Sequence, residues 1–187
     1  MKISNLAVYT VTNSIAYFAW GLIGPFYYLY VNQLGGGNIE QFGIAFGIMC
    51  FMSALGSLLA GKYSDKLGRK PFLISTSFLF AIIIFSYTLI NSVIQLYIIQ
   101  ALFGIISSVD FTINSAYLGD ITKKKKRGVQ IGAFRFVVEA FSGIAIILGG
   151  VLIGKTGNFK LIFYICSILT VIGTLGMFYL KETVRRK

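Results

Sequence analysis

Long apolar segments alternate with short polar connections along the whole chain. A helix needs about 20 mainly apolar residues to cross a hydrocarbon core of about 30 Å. Six segments reach that length: residues 6–30, 42–60, 72–90, 94–118, 129–153 and 159–180. Turn residues and charges fill the connections between them, which are residues 32–40, 61–70, 91–92, 123–127 and 154–158. The pattern predicts six transmembrane helices joined by loops.

The composition favours lipid as the surroundings of this chain. Of its 187 residues 56% are hydrophobic and only 12% are charged, whereas soluble domains carry about 25% charged residues. A chain of this length is too short to hide so much apolar surface in a core of its own. The expected fold class is therefore an all-α integral membrane bundle, with the lipid bilayer as a partner.

The residue types that build cofactor and metal sites are scarce. The chain has no histidine and two cysteines, Cys50 and Cys166, which stand far apart inside apolar segments. They have neither metal-ligand spacing nor the pattern of a disulfide framework. We expect no metal and no cofactor, and a membrane enzyme is disfavoured because no nucleophile and base are paired.

Basic residues are segregated to one side of the predicted spans. With the N-terminus inside, fourteen of the seventeen basic residues fall on the cytoplasmic side, which is the side where Lys and Arg accumulate. The sequence thus predicts a multi-pass protein of the cell membrane with both termini cytoplasmic. The net charge of +11 is explained by topology and anionic lipid, and nucleic-acid binding is not expected.

A weak internal repeat divides the chain. Residues 58–62 (LLAGK) are echoed by residues 151–155 (VLIGK), 93 positions later. Two units of three spans each must have opposite topology, as the inverted repeats of secondary transporters do. We expect one membrane domain over residues 1–187, with repeat one about 1–92 and repeat two about 93–187.

The connection between spans two and three is the most informative stretch. Residues 61–71 read GKYSDKLGRKP. Two glycines permit tight turning, Asp65 can accept hydrogen bonds from a helix N-terminus, and Pro71 suits a first helical turn. A loop selected only for positive charge explains the basic residues but neither Asp65 nor the glycine spacing.

This stretch resembles the signature loop of the major facilitator superfamily, G-x-L-x-D-R-x-G-R-K, which follows the second helix in that family. The matching residues are Gly61, Asp65, Gly68, Arg69 and Lys70. Residues 116–122, with Asp120, and then Arg127 and Gly128 are similar to the family's junction between helices four and five. The resemblance implies a cytoplasmic charge network of Asp65, Arg69 and Asp120 that steadies one conformation.

Within the family, this chain is similar to the N-terminal six-helix half, so the second half is absent from it. One departure is Gln100, four residues before Gly104, where many members carry an arginine. The resemblance implies a secondary transporter that moves a small solute by alternating access. It also implies a partner half, either a second copy or another chain, unless the chain is a truncated piece.

Three ionisable residues fall inside predicted spans, where such groups are costly and mark functional sites. Asp110 lies about 12 Å deep in span four, and Arg135 and Glu139 share one face of span five because they are four residues apart. Their depths predict a common cluster. The predicted substrate or ion pathway comprises Asp110, Arg135, Glu139, Asn114, Gln100, Asn13 and Trp20.

Two interpretations of the ionisable residues stay open. Arg135 either neutralises the two acids within a helix bundle, or the three residues contact a solute or ion, with Asp110 or Glu139 carrying a proton. The alternative function is a membrane scaffold or assembly protein that keeps the six-helix fold without transport.

Overall fold

The computed structural model describes residues 4–183, except for the side chains of residues 59–67. Within that range the secondary structure is helical apart from the connections and one isolated bridge between Gly35 and Ser92. The α-helices are α1 (Asn5–Ile23), α2 (Tyr27–Val31), α3 (Ile39–Leu67), α4 (Arg69–Ser86), α5 (Val93–Ile121), α6 (Arg127–Thr156) and α7 (Phe159–Met177).

Six helical segments of the described chain are long and apolar enough to cross a membrane. The first combines α1 and α2, which are joined by a 3-10 turn over Gly24–Phe26. Pro25 explains this interruption, because proline has no N–H to donate and clashes with the preceding turn of an α-helix. The prediction of six transmembrane helices is confirmed, although the sequence pattern did not predict the break.

Polar side chains begin several of these helices. A side-chain oxygen of the residue before the first turn accepts a backbone N–H at Ser4, Asn38, Ser92 and Asn158. Serine and asparagine are among the strongest N-cap residues. The starts of α1, α3, α5 and α7 are thus fixed locally by the sequence.

The predicted loop at residues 61–70 is wrong. Helix α3 continues to Leu67 and α4 begins at Arg69, so that only Gly68 separates the two helices. Gly68 has φ +96°, a backbone conformation that glycine adopts without strain. A single residue of this kind reverses the chain, and the flanking charged residues stay helical.

Helix packing follows a symmetric scheme. Helix α1 packs on α6 and α7, α5 packs on α3 and α4, and α4 packs on α7. Exchanging α1, α3 and α4 with α5, α6 and α7, respectively, leaves this scheme unchanged. Such exchange is the property expected of two three-helix repeats, and the boundary near residue 92 stays a prediction.

Close contacts at four glycines follow the same scheme. A methyl group on Gly21 would lie 2.6 Å from the backbone oxygen of Ser142, and one on Gly104 would clash with the backbone oxygen of Met49. Met49 and Ser142 are 93 residues apart. Glycine at these positions lets α1 approach α6, and α5 approach α3, as small residues do in membrane helix pairs.

The second pair of glycines lies farther along the partner helices. Gly149 of α6 closely approaches the backbone oxygen of Leu22, and a methyl group on Gly56 of α3 would lie 3.0 Å from that of Ile105. Gly56 and Gly149 are again 93 residues apart. The α1–α6 and α3–α5 pairs therefore share one backbone design.

Candidate functional site

An ion pair joins the two stretches that carry the family resemblance. Nη1 of Arg69, at the start of α4, lies 2.7 Å from Oδ2 of Asp120, near the end of α5. Arg127 donates a hydrogen bond of 2.9 Å to the backbone oxygen of Gly119. The structure thus brings Arg69, Asp120 and Arg127 to one end of the bundle, which we call the charged end. The surroundings of Gly61 and the side chain of Asp65 lie outside the described part of the structure.

Glu182, which was not among the predicted site residues, completes this arrangement. Glu182 follows α7, and its two carboxylate oxygens accept the backbone N–H groups of Arg69 and Lys70, each at 3.0 Å. These N–H groups have no partner within α4, since the first turn of a helix leaves its donors free. A carboxylate at this position is also favoured by the helix dipole.

Gly68 makes room for the Glu182 carboxylate. A methyl group on Gly68 would lie 2.7 Å from Oε2 of Glu182. The side chain of Lys70 reaches the same segment and donates to the backbone oxygen of Phe178 at 2.7 Å. Gly68 and Lys70, which were chosen from the signature stretch, therefore hold the chain segment that leaves α7.

Two polar side chains hold the neighbouring residue. Tyr117 of α5 donates to the backbone oxygen of Lys181 at 2.8 Å, and Oδ1 of Asn5 accepts the N–H of Lys181 at 3.0 Å. Asn5 also donates to the Tyr117 hydroxyl at 2.9 Å. Sequence alone could not reveal these contacts, because they join residues more than sixty positions apart.

Asp110 is held by neutral polar groups in the interior of the bundle. Its Oδ1 accepts a 2.8 Å hydrogen bond from Thr76 of α4, and its backbone oxygen accepts from Asn114 at 2.9 Å. Tyr9 of α1 donates to Oδ1 of Asn114 at 2.5 Å. The network therefore ties three helices together. Tyr9 and Thr76 were not among the predicted site residues.

The predicted cluster of Asp110 with Arg135 and Glu139 is not formed. Nη1 of Arg135 lies 3.6 Å from Oε1 of Glu139, and the two side chains are 54% and 58% exposed. Within the described chain Asp110 has no ion pair with either residue. The cause is the packing scheme, because α6 packs mainly on α1 whereas α5 packs on α3 and α4.

The other predicted pathway residues divide into buried and accessible groups. Gln100 is buried and donates to the Tyr27 hydroxyl at 2.8 Å, while its Oε1 accepts from Tyr87 at 3.3 Å. Asn13 is buried too, and it donates to the backbone oxygen of Tyr9 in its own helix at 2.9 Å. Both side chains therefore have hydrogen-bond partners within the half.

Trp20 belongs to the accessible group. Its side chain is 49% exposed and stacks on Phe103 of α5 with ring centroids 5.4 Å apart and an interplanar angle of 15°. An indole that is packed on one face and open on the other is suited to contact a ligand or a partner helix.

A hydroxyl-rich cavity of 420 Å³ lies between α3 and α5. Its lining residues are Ser53, Ala54, Ser57, Ser107, Ser108, Phe111 and Thr112. Four of the hydroxyls donate to backbone oxygens of their own helices, so their lone pairs remain available as acceptors. The sequence did not predict this cavity, because serine inside a span equally indicates helix packing.

Comparison with known proteins agrees with the fold and the motifs. The family model described as "Major Facilitator Superfamily" matches residues 9–187. An uncharacterized MFS-type transporter of Bacillus subtilis, YitZ, is 34% identical over 161 residues, which are 86% of this chain and 97% of the relative.

Other relatives are longer than this chain. An uncharacterized MFS-type transporter of Methanocaldococcus jannaschii is 26% identical over 96% of this chain and 46% of its own length. The multidrug resistance protein MdtG of Proteus mirabilis is 28% identical over 87% of this chain and 41% of its own length. The chain thus spans less than half of these two proteins.

A solved structure shows the same fold. A crystal structure of the peptide transporter POT with sulfate superposes with a TM-score of 0.70 and 17% identity, covering 97% of this chain and 40% of that one. The family consists of transporters, which agrees with the prediction that the chain is not an enzyme. From the six apolar helices, the signature stretch and the family model together, this chain is a multi-pass membrane protein that belongs to the major facilitator superfamily.

Proposed function

We propose that this chain forms one half of a secondary transporter, which moves a small solute by alternating access between itself and a second six-helix half. One observation carries the proposal: the Arg135–Glu139 pair is more than half exposed within a helix of membrane-spanning length. Charged groups facing lipid at that depth are costly. The exposed face of α6 therefore borders water or protein.

The solute pathway lies along this accessible face. Arg135, Glu139 and Trp20 offer a cation, an anion and an indole, and the hydroxyls of the α3–α5 cavity add acceptors. Asp110, Asn114 and Gln100 act from within the half by joining its helices, whereas Asn13 bonds within its own helix. Asp110 is also the candidate for proton coupling, because acids inside membrane helices often form proton relays.

The membrane orientation is part of the proposal. The charged end carries Arg69, Arg127 and the basic run at residues 123–126, and basic residues accumulate on the cytoplasmic side. Residues 5 and 181, which bind each other there, then also face the cytoplasm of a cell membrane.

Dequenching of a pH-sensitive dye in inverted membrane vesicles tests transport and proton coupling together. Ethidium, a dipeptide and glucose are suitable probes, since relatives are named for multidrug resistance and the other two represent different solute classes. We expect one probe to collapse an imposed proton gradient only in vesicles that contain the chain. Asp110→Asn should abolish that response, whereas Asn13→Ser should leave it within about twofold.

Two further outcomes have defined meanings. Uptake of a radiolabelled probe without dequenching would contradict proton coupling and leave transport standing. If correctly folded protein moves none of the probes and binds none, the scaffold interpretation replaces the transporter.

A further inference from the structure

We infer that the solute is a small organic ammonium ion, and that its N–H groups bind to hydroxyl oxygens of the cavity between α3 and α5. This names the solute class of the proposed function and therefore rests on that function. Three features of the described residues support it: the depth of the cavity, hydroxyls that only this helix pair carries, and a lining that offers hydrogen-bond acceptors next to a negative charge.

The cavity lies halfway along α5. Ser107 is the middle residue of this helix, which runs from Val93 to Ile121, and the three other lining residues of α5 follow within five positions. Secondary transporters bind their substrates near the middle of the bilayer. The volume of 420 Å³ is also that of a small-molecule site, for which about 300–1,000 Å³ is usual. Depth and size thus agree with a solute site.

The hydroxyls of the cavity are not needed for close helix packing. The α1–α6 pair has the same glycine contacts as the α3–α5 pair, with offsets of 93 residues from α3 to α6 and 83 residues from α1 to α5. By these offsets, Ser53, Ser57, Ser107, Ser108 and Thr112 correspond to Ile146, Gly150, Gly24, Pro25 and Leu29. None of the corresponding residues has a hydroxyl, yet the two helices approach each other equally. The five hydroxyls therefore have a role besides packing.

The cavity offers acceptors rather than donors. Ser57, Ser107, Ser108 and Thr112 each donate their hydroxyl proton to a backbone oxygen of their own helix, at 2.7–2.9 Å. Their oxygen lone pairs stay open, and no side chain with an N–H group is among the described lining residues. An anion would need donors, and a sugar carries acceptors of its own that would need them too. An ammonium group has donors and no acceptor, so it complements this lining.

Two neighbouring groups favour a positive charge in the cavity. The ring of Phe111, which is 69% exposed, forms part of the lining, and the face of an aromatic ring attracts a cation. Asp110 follows Ser107 by three residues, so their side chains are neighbours on the helix. Its side chain is bonded to the neutral hydroxyl of Thr76, and an ionised Asp110 thus favours a cation nearby.

Equilibrium dialysis of radiolabelled benzylammonium against the purified chain in lipid nanodiscs tests the binding, with empty nanodiscs as the blank. Two unlabelled competitors separate the contributions. Benzyltrimethylammonium keeps the ring and the charge but has no N–H group, and benzyl alcohol keeps the ring but is neutral. We expect saturable binding, with both competitors at least ten times weaker than unlabelled benzylammonium. No saturable binding, or equal competition by either compound, would overturn the inference.

Variants of the lining place the ligand in this cavity. Thr112→Val removes one hydroxyl and keeps the shape of the side chain, so it should weaken benzylammonium binding at least fivefold, whereas Thr112→Ser should stay within twofold of the parent chain. Ser57→Ala repeats the test at an exposed side chain of α3. The control is Ser86→Ala, because Ser86 of α4 makes the same kind of bond within its helix, to the backbone oxygen of Ile82 at 2.8 Å, and should leave binding within twofold.

Unchanged binding in both Thr112→Val and Ser57→Ala, at an unchanged thermal unfolding midpoint, would overturn the assignment to this cavity. These measurements involve no transport, so they distinguish the inference from the proposed function. A chain that binds benzylammonium in the cavity but moves no solute overturns transport alone. Transport of a neutral or anionic probe by a chain that does not bind benzylammonium overturns the inference alone.

Discussion

The α1–α6 and α3–α5 helix pairs share a backbone design but differ in chemistry. In both pairs, glycines let one helix approach a backbone oxygen of the other. The residues of α3 that make these contacts lie 93 positions before those of α6. By the same offset, Arg135 and Glu139 of α6 correspond to Phe42 and Phe46 of α3. Packing is thus common to the two pairs, and each has its own polar groups.

The hydroxyl-rich cavity is a polar feature of the α3–α5 pair, as the charges are of the α1–α6 pair. By the offset of 93 residues, Ser57 of α3 corresponds to Gly150 of α6. Helices α1 and α5 are related by an offset of 83 residues, the separation of Gly21 and Gly104. By that offset Ser108 of α5 corresponds to Pro25. Pro25 lies in the 3-10 turn that interrupts the first span. Function is therefore expected to depend on the residues that differ between the pairs, and stability on those that they share.

The largest effect is expected at the shared glycines. Gly149→Val and Gly104→Val each place a branched side chain against a backbone oxygen of the neighbouring helix, which cannot move without shifting that helix. Overpacking of this kind costs about 1–3 kcal/mol and occasionally more. The thermal unfolding midpoint in detergent should fall strongly for both variants.

Gly154→Ala is the matched control, because nothing lies within 4 Å of the added methyl group and alanine is the better helix former. If Gly149→Val unfolds at the same temperature as Gly154→Ala, the close approach of α1 and α6 is wrong.

The next effect concerns the charges that only one pair carries. Arg135→Gln or Glu139→Gln should lower the uptake of a transported probe at least tenfold, since a pathway charge is removed and its partner is left unpaired. Phe42→Leu and Phe46→Leu, at the corresponding positions of α3, should change uptake less than threefold. Comparable losses from both sets would remove the functional distinction between the helix pairs.

Much of this arrangement was predictable from sequence, because it depends on residues that are close together along the chain. Six spans follow from apolar length, and the caps at Ser4, Asn38, Ser92 and Asn158 involve residues three positions away. The Arg69–Asp120 pair was also predicted, through the family resemblance rather than through any local pattern.

The remaining features depend on which helices become neighbours. Residue depth suggested that Asp110 meets Arg135. Depth does not say, however, which face of α5 packs against which helix. In the structure Asp110 accepts a hydrogen bond from Thr76 of α4. Glu182 was missed because its partners, the N–H groups at residues 69 and 70, are backbone atoms without a sequence signature.

The smallest effect is expected at the two turns that follow α3 and α6. Asn158 caps α7 beside Gly157, whereas α4 beside Gly68 is capped by the distant Glu182. Asn158→Ala should cost about 1 kcal/mol. Glu182→Gln should cost about 0.5 kcal/mol, since an exposed amide keeps one acceptor but loses the favourable charge at the helix N-terminus.

Thermal unfolding in low and high salt separates the two caps. Only the difference between Glu182→Gln and the parent chain should shrink at high salt, because salt screens exposed charges. A salt-independent difference would contradict the electrostatic role of Glu182.

The charged face of α6 is proposed to border a water-filled pathway rather than lipid. Labelling with a membrane-impermeant maleimide in intact membranes tests it, with Glu139→Cys compared with Leu175→Cys in a chain that carries Cys50→Ser and Cys166→Ser. Both positions are exposed on the half and lie about 24–26 Å from the end opposite the charged one. We expect rapid labelling at position 139 and almost none at position 175. Equal protection of both positions would contradict a water-filled pathway at the α6 face.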